Sequence, residues 1–172
     1  MLRILLVSFL LFTSINSNHS ADNLIDYYKE TDFKTIEEAI KDFEQQKQLS
    51  LVPPNYIPFK VSHSFGRYIE KGTYKGQLHL EYIDQPSNNV ISIFVSDASQ
   101  EFAPTKDGSE EIINNKILTK YNVVQNEEAN ISNLSFKLND KAFLIQFITN
   151  KTNEPIEKEK MFKIFESIID NN

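Results

Sequence analysis

The sequence contains no cysteine and only four glycines among its 172 residues. Without cysteine no disulfide can stabilise the fold, so a domain in an oxidising compartment would depend on burial alone. Cysteine nucleophiles are excluded for the same reason, and so is a lipoprotein anchor, which would need a cysteine after the N-terminal apolar run. Because glycine is scarce, few positions suit tight turns with positive φ or loops that cradle phosphate groups.

Positive charge is also in short supply. Eighteen Lys and Arg stand against 24 Asp and Glu, which gives a net charge of −6. Nucleic acids and anionic lipid surfaces are bound by clusters of basic residues, and the chain has no such cluster. The charge balance therefore argues against both partners.

Long apolar runs are absent except at the N-terminus. Arg3 supplies a positive charge before an apolar run from Ile4 to Phe12, and small polar residues follow, with cleavage sites after Ser17 or Ala21. The run is shorter than the ~20 residues that a membrane span requires. Residues 1–21 are therefore predicted to be a signal peptide. The protein would be secreted or extracytoplasmic, tethered if the signal is retained, with no membrane span after cleavage.

The remainder has the length of one domain. Residues 22–34 are polar and are expected to form a flexible lead-in, whereas residues 35–172 are expected to form a single domain. A chain of this size buries roughly two-thirds of its unfolded surface, and thirteen Phe and seven Tyr supply large side chains for that purpose.

A helix is predicted over residues 35–48. Thr35 and Glu38 have the spacing of a capping box, in which each side chain accepts a hydrogen bond from the other residue's backbone. Apolar residues then recur at i, i+3, i+4 and i+7, the period of an amphipathic helix: Ile36, Ala39, Ile40 and Phe43.

Three prolines follow this helix in "LVPPNYIP", residues 51–58. Proline cannot continue a helix and disfavours helical geometry in the residue before it. The stretch is predicted to be an extended connector with Tyr56 or Ile57 packed into the core. The alternative is a proline-rich recognition motif exposed to solvent.

The hydrophobic period changes to two after the connector. About six strands are expected, and those at residues 90–95 and 142–148 are apolar on both faces, as in strands that are covered on both sides. The expected strands cover residues 59–65, 77–83, 90–95, 117–124, 134–138 and 142–148. Residues 66–76 hold three of the glycines and are expected to join the first two as a hairpin loop.

A second helix is expected at the C-terminus. Pro155 and three early glutamates suit its first turn, and its apolar stripe is predicted to pack on the strand at residues 142–148. The stripe consists of Met161, Phe162, Phe165, Ile168 and Ile169. Helix, strands and helix in this order predict an α+β domain: an antiparallel meander sheet with an N-terminal and a C-terminal helix packed on it.

The chain resembles the DUF4367 domains in several segments. These are "TIEEAIKDF" leading into "LVPPNYIPF", the later "LSFKLNDKAFLIQFI", and the closing "EKEKMFKIFESII". The resemblance covers residues 35–169 and implies an exported or membrane-tethered domain of Gram-positive bacteria. The family has no assigned catalytic residues, so the resemblance implies no site.

Few residues suggest chemistry. Ser64 lies in "HSFG", without the surroundings of a nucleophile elbow, and is expected to point outward from a strand. His63 and His79 are predicted to lie on opposite faces of the sheet, one partly buried and one at the surface, so that they do not form a metal site. Asp107, Glu110 and Glu111 lack the ligand spacing of a calcium loop and are expected in a solvated loop. No catalytic, cofactor or metal residue is therefore predicted.

Three hypotheses for function follow, in order of preference. The first is a non-enzymatic exported domain that binds a protein, a peptide or an envelope component. The second is a small-ligand or lipid-binding half-barrel, because apolar residues on both faces of the sheet could leave a cavity. The third is a hydrolase, for which no residue pair is singled out.

Overall fold

The computed structural model describes residues 21–100, 102, 108–113 and 117–171, and within them three helices and seven strands. The helices are α1 Ala21–Glu30, α2 Ile36–Lys47 and α3 Lys158–Ile169. The strands are β1 His63–Tyr68, β2 Leu78–Asp84, β3 Asn89–Asp97, β4 Ser109–Ile113, β5 Ile117–Gln125, β6 Ala129–Leu138 and β7 Lys141–Asn150. The α+β class is confirmed, with seven strands rather than six.

All seven strands form one sheet in the order β1-β2-β3-β7-β6-β5-β4, and every neighbouring pair is antiparallel. The order departs from a single meander at one place, because β7 lies beside β3. Two meanders, β1 to β3 and β4 to β7, are thus joined at the centre. Strands β3 and β7 are buried on both faces, as predicted, and central strands are the ones that two layers can cover.

The main core lies on one side of the sheet, which we call the first face. Helices α2 and α3 pack there on side chains from β2, β3, β6 and β7, whose largest fully buried members are Leu78, Leu80, Ile91, Ile93, Leu134, Phe143 and Ile145. A smaller cluster with α1 lies on the other side, the second face, and contains Tyr28, Phe33, Ile83, Val90, Ala129, Ile131 and Ile148. The sheet is therefore covered from both sides.

Helix α2 confirms the predicted helix and its capping box. Thr35 Oγ1 accepts a hydrogen bond from the Glu38 backbone N–H, and the Glu38 carboxylate accepts one from the Thr35 N–H. Helix α2 packs closely on β1 because Gly66 has no side chain. A Cβ at that position would lie only 2.7 Å from Ala39 Cβ.

The segment after α2 is an extended connector, as predicted. It contains no helix or strand between Lys47 and His63, and Tyr56 and Ile57 are half-buried against the main core. Its start is attached to the sheet by the buried Lys141, whose Nζ donates a hydrogen bond to the Ser50 carbonyl oxygen at 2.7 Å. The connector thus belongs to the folded domain.

Residues 22–34 do not form the expected flexible lead-in. Helix α1 occupies most of this stretch, with Tyr28 and the following Phe33 buried on the second face. Leu24, Tyr27 and Tyr28 have helical spacing, but they stand among enough charged residues to give the segment a polar composition. The signal-peptide prediction falls on residues outside those described, apart from Ala21, and stays a prediction.

Three strands differ from expectation, and one of them, β6, begins at Ala129 rather than at residue 134. Strand β1 begins at His63 rather than at residue 59, because Phe59 leaves the strand register and packs edge-to-face on Phe147. Strand β1 then extends to Tyr68, into the stretch expected as a loop. Strand β4 was not predicted at all, since it is a short, polar edge strand whose Ile112 is 67% exposed.

Helix α3 confirms the predicted C-terminal helix, although it begins at Lys158 rather than at the turn of Pro155. Its ring contact is between Phe165 and Phe136 of β6, with centroids 4.7 Å apart, so it meets the neighbour of the expected strand β7. The residues of α3 that are almost fully buried are Met161, Ile164, Phe165 and Ile168. Ile164 was missing from the predicted stripe, and Phe162 and Ile169 lie at its half-buried margin. None of the described helices is long and apolar enough to cross a membrane.

Candidate functional site

The two histidines share one face of the sheet, contrary to the prediction. His63 pairs with Ile83 and His79 pairs with Arg67, so both rings lie on the second face. The alternation of apolar residues shows which residues of one strand share a face. It does not show how β1 is aligned with β2, and that alignment decides whether the two histidines lie on the same face of the sheet. His79 is fully buried and His63 is half-buried, rather than one partly buried and one at the surface. In the described parts of the chain no group of three His, Asp or Glu could hold a metal ion.

The residues expected at the surface lie there. Ser64 is exposed on β1. Glu110 and Glu111 are also exposed, but they lie on strand β4 rather than in the expected loop, and they form ion pairs with Lys120 and Lys158, respectively. Asp107 lies outside the described residues.

A charged cluster is buried between α1 and the sheet. The Tyr28 hydroxyl donates a hydrogen bond to Glu81 Oε2, and His79 Nε2 lies 2.9 Å from Glu81 Oε1. The His79–Glu81 contact has the distance of an ion pair but not the angle of a hydrogen bond. The cluster fixes α1 on the second face through Tyr28.

Arg67 lies on the surface side of this cluster and is half-buried. Its guanidinium lies 4.3 Å from the Phe33 ring centroid, and its Nη1 donates to the Thr31 carbonyl oxygen at 3.2 Å. Burial lowers the pKa of Arg67, and the negative charge of Glu81 opposes this shift. Arg67 therefore places a positive charge at the edge of the buried cluster.

Opposing effects set the pKa values of Glu81 and Tyr28. Burial alone would raise the pKa of Glu81. The net effect is nevertheless a pKa below its usual value, because burial is outweighed by coulombic attraction to His79 and Arg67 and by contacts with His79 and Tyr28. Burial, together with the Glu81 charge, raises the pKa of Tyr28 far above its usual value. Glu81 is therefore ionised and Tyr28 neutral at pH 7. With Glu81 and His79 at 1% and 0% exposure, the cluster is positioned for stability and not for contact with a substrate.

A row of polar side chains continues from this cluster across the second face. The strand registers align one residue from each of five adjacent strands: Glu81, Ser92, Gln146, Asn133 and Asn122. All five are buried, and Gln146 Nε2 donates to Asn133 Oδ1 at 2.8 Å. Ser92 Oγ and Asn133 Nδ2 have no hydrogen-bond partner in the described part of the chain. We call these five residues the polar row.

A pocket of about 540 Å³ opens at the end of the sheet on the first face. The end of the connector forms one wall, and residues 153–157, which lead into α3, form the opposite wall. We call it the connector pocket; its lining residues include Pro58, Phe59, Asn89, Phe147, Thr149 and Lys160. Its volume lies within the range of small-molecule sites.

Two polar atoms in the lining are buried and have no hydrogen-bond partner among the described residues. They are Asn89 Oδ1 and Thr149 Oγ1, and the Thr149 side chain belongs to a residue that is only 5% exposed. Val90 pairs with Ile148, so continuing that register places Asn89 opposite Thr149. Each of the two atoms has less than 1 Å² of exposed surface, so both lie below the surface of the pocket floor and are closed to a molecule the size of water.

The charges around the connector pocket nearly balance. Lys160 Nζ lies 3.5 Å from Glu157 Oε1 at the exposed rim, and Glu154 adds one negative charge. The apolar part of the lining includes Phe59 and the buried Phe147, whose rings meet edge-to-face with centroids 5.7 Å apart. The lining is therefore mixed, with apolar surface on the connector side and mostly charged groups at the rim.

Sequence reasoning did not identify the pocket residues. Asn89 follows a turn and Thr149 ends a strand, which are common positions for these residue types, so neither gave a signal. Only the pairing of β3 with β7 brings them together. No known protein family, curated protein or solved structure matches the chain. The resemblance to the DUF4367 domains therefore stays a prediction.

Proposed function

We propose that the chain is a non-enzymatic extracytoplasmic domain that binds an envelope component, a peptide or a protein, and that the connector pocket is its binding site. The observation that carries the proposal is the open pocket of about 540 Å³, whose lining combines the half-buried Phe59 with the exposed polar side chains of Glu157 and Lys160. A ligand would pack on the phenyl ring and exchange hydrogen bonds or ion pairs with the exposed polar groups.

The buried cluster supports the non-enzymatic part of the proposal. Catalysis by His79 and Glu81 would require contact with a substrate, and both side chains are packed beneath α1. The predicted signal at residues 1–21 supports export, with tethering if the signal is retained. A DUF4367-like domain would have the same location, and here the domain would include α1, from residue 21 onward.

The small-ligand alternative is favoured by the pocket volume, whereas its lipid version is not. A lipid site needs a continuous apolar cavity, but the core under α2 and α3 is filled by side chains such as Phe43 and Phe165. The connector pocket has polar atoms in its lining and a charged rim. A polar ligand, free or as part of a larger envelope molecule, fits it better.

An NMR titration tests the proposal. The ¹⁵N-labelled protein is titrated with a lysozyme digest of bacterial cell wall and, separately, with a tryptic peptide mixture. We expect one of them to shift the amide signals of Phe59, Asn89 and Thr149, while the signals of the polar row on the opposite face stay in place. If neither mixture shifts the pocket signals, the binding function assigned to this pocket is wrong.

A further inference from the structure

The two edges of the sheet differ in whether they are covered. At the β1 edge, Lys34 and Gly66 exchange backbone hydrogen bonds of 2.8 and 2.9 Å, and helix α2 packs closely on Gly66. At the β4 edge, the described part of the chain supplies no strand or bridge beyond β4. An uncovered edge strand presents backbone N–H and C=O groups with which another strand can pair. The β4 edge is therefore the side of the sheet to which a further strand can be added.

The two most exposed large apolar side chains of the described residues lie at this open edge. Ile112 of β4 is 67% exposed and Leu118 of β5 is 47% exposed, and the register of the two strands places them opposite each other. Both belong to the second face, because Leu118 alternates with Thr119, which pairs with Phe136 of the first-face core. The apolar cluster under α1 reaches Val124 but neither of them. An exposed apolar pair thus lies beside the open edge.

The two carboxylates of β4 are compensated within the chain. Glu110 is paired with Lys120 at 2.9 Å, and Glu111 is paired with Lys158. Charged side chains on an edge strand commonly prevent pairing with another chain. Here a second strand would meet ion pairs rather than uncompensated negative charges.

A second copy of the chain fits this edge in one register. In a two-fold antiparallel pair of β4 strands, one residue lies opposite itself and sets the alignment of all the others. If that residue is Glu110 or Glu111, two like charges lie opposite each other, which is destabilising. If it is Ser109 or residue 113, at the ends of β4, only one residue of each strand is paired. If it is Ile112, the apolar pairs of the two copies meet in one continuous row.

We propose that the β4 edge is a homodimer interface, in which β4 pairs antiparallel with β4 of a second copy and Ile112 lies opposite Ile112. The junction joins two seven-stranded sheets into one and brings the two Ile112–Leu118 pairs into contact. Its two-fold axis is perpendicular to the sheet, so both copies have their first faces, with α2 and α3, on the same side. Because β4 has only five residues, the interface is small, and the expected Kd is on the order of 100 µM.

Sedimentation equilibrium tests the proposal. The protein is measured from about 10 µM to about 1 mM, a range that spans the expected Kd. We expect the weight-average mass to rise from that of a monomer toward that of a dimer. Ile112→Lys and, as a second variant, Leu118→Lys should each raise Kd at least about tenfold, because each places a charge in the apolar row. Both residues are exposed, so neither change should lower Tm.

Val123→Lys is the matched control. Val123 is a 40% exposed apolar residue of β5, but it lies an odd number of residues from Leu118 and therefore on the first face. The substitution adds the same charge to the same strand and should leave Kd unchanged. If it weakens the dimer as much as Ile112→Lys does, the assignment to the apolar row is overturned.

A mixing experiment tests the register. Ile112→Lys and Ile112→Glu should each be monomeric when measured alone, because like charges would lie opposite each other. In the proposed register an equal mixture of the two variants brings opposite charges together at position 112, and we expect a heterodimer. A mixture that remains monomeric overturns the register and with it the proposal.

Other occupants of the edge would give different results. A wild-type protein that stays monomeric at the highest concentration overturns the proposal. If that monomer binds a synthetic peptide of alternating valine and lysine, seen as shifts of the β4 amide signals, the edge takes a peptide strand instead. A dimer that both Ile112→Lys and Leu118→Lys leave intact has its contact elsewhere, which also overturns the proposal. The connector pocket is tested by a separate titration, so neither proposal depends on the other.

Discussion

The two faces of the sheet are built on different physical principles. The first face has a continuous apolar core under α2 and α3, with residues such as Phe43, Ile145 and Phe165 fully buried. The second face has a smaller apolar cluster under α1, interrupted by the polar row and the buried pair of Glu81 and His79. Apolar burial stabilises the domain without fixing which residues pair.

The polar row supplies that specificity. A shift of one residue in the register of a strand moves every side chain to the opposite face. Such a slip in β2 would place Glu81 in the apolar core of the first face, where it would have no partner, and an unpaired buried charge is strongly unfavourable. We infer that the first face provides most of the stability and the second face fixes the register.

Removal of α3 should have the largest effect, because it uncovers the first face. Four side chains, Met161, Ile164, Phe165 and Ile168, are almost fully buried. At ~1.5–3 kcal/mol each they contribute on the order of 10 kcal/mol before the ordering cost. That is comparable with the whole stability of a domain. A chain that stops at Thr152 should show no cooperative thermal transition in circular dichroism. A transition near that of the full chain would contradict the claim that the first face under α3 provides most of the stability.

Removal of the charge on the second face should have the next largest effect. Glu81→Ala leaves His79 and the Tyr28 hydroxyl without their buried partner, and such truncations cost about 3–5 kcal/mol. Urea denaturation measures this loss.

Complete removal of the cluster is the matched test. The triple variant Tyr28→Phe, His79→Leu and Glu81→Leu replaces the polar groups with apolar ones, and such replacements are often neutral or stabilising. We expect it to be more stable than Glu81→Ala alone. If the register role is correct, hydrogen exchange along β1 and β2 should nevertheless be faster in the triple variant than in the wild type.

Truncation in the connector should have a smaller effect. Tyr56 is half-buried against the first-face core, so Tyr56→Ala should destabilise the domain by about 2 kcal/mol, below the cost of truncating a fully buried aromatic residue. Val52→Ala is the control, because Val52 is 43% exposed in the same segment. An unchanged Tm for Tyr56→Ala would indicate that the connector is an exposed recognition segment.

A pH series should show the smallest effect, and it concerns the second face alone. The folded-state pKa of Glu81 is lowered, so its contribution to stability is present above the unfolded pKa of about 4.3 and is lost as pH falls through the lower folded value. Between pH 6 and pH 3 the wild type should therefore lose more Tm than Glu81→Gln, which has no charge to lose. His79, Tyr28 and Arg67 face the carboxylate and are retained in both proteins. Equal losses would show that Glu81 is not ionised in the fold.

The sequence predicted the elements whose signals are local. Thr35 and Glu38 identify the start of α2 through their spacing, and the apolar residues of β3 and β7 identify buried strands. Helix α1 was missed because its three contact residues stand in a polar segment. The faces of His63 and His79, and the meeting of Asn89 with Thr149, depend on pairing between distant strands, which local periodicity does not contain.

The insertion of β7 beside β3 has a consequence for the order of folding. The pairing of Val90 with Ile148 joins residues far apart in sequence, whereas each meander on its own is held by neighbouring strands. Closing such a long loop is slow compared with forming a hairpin. Until the last strand of the chain is available, β3 has an open edge, and the two halves of the sheet remain separate. Folding should therefore end with the closure of the β3–β7 seam, and substitutions there, such as Ile93→Ala or Ile145→Ala, should accelerate unfolding more than they retard folding.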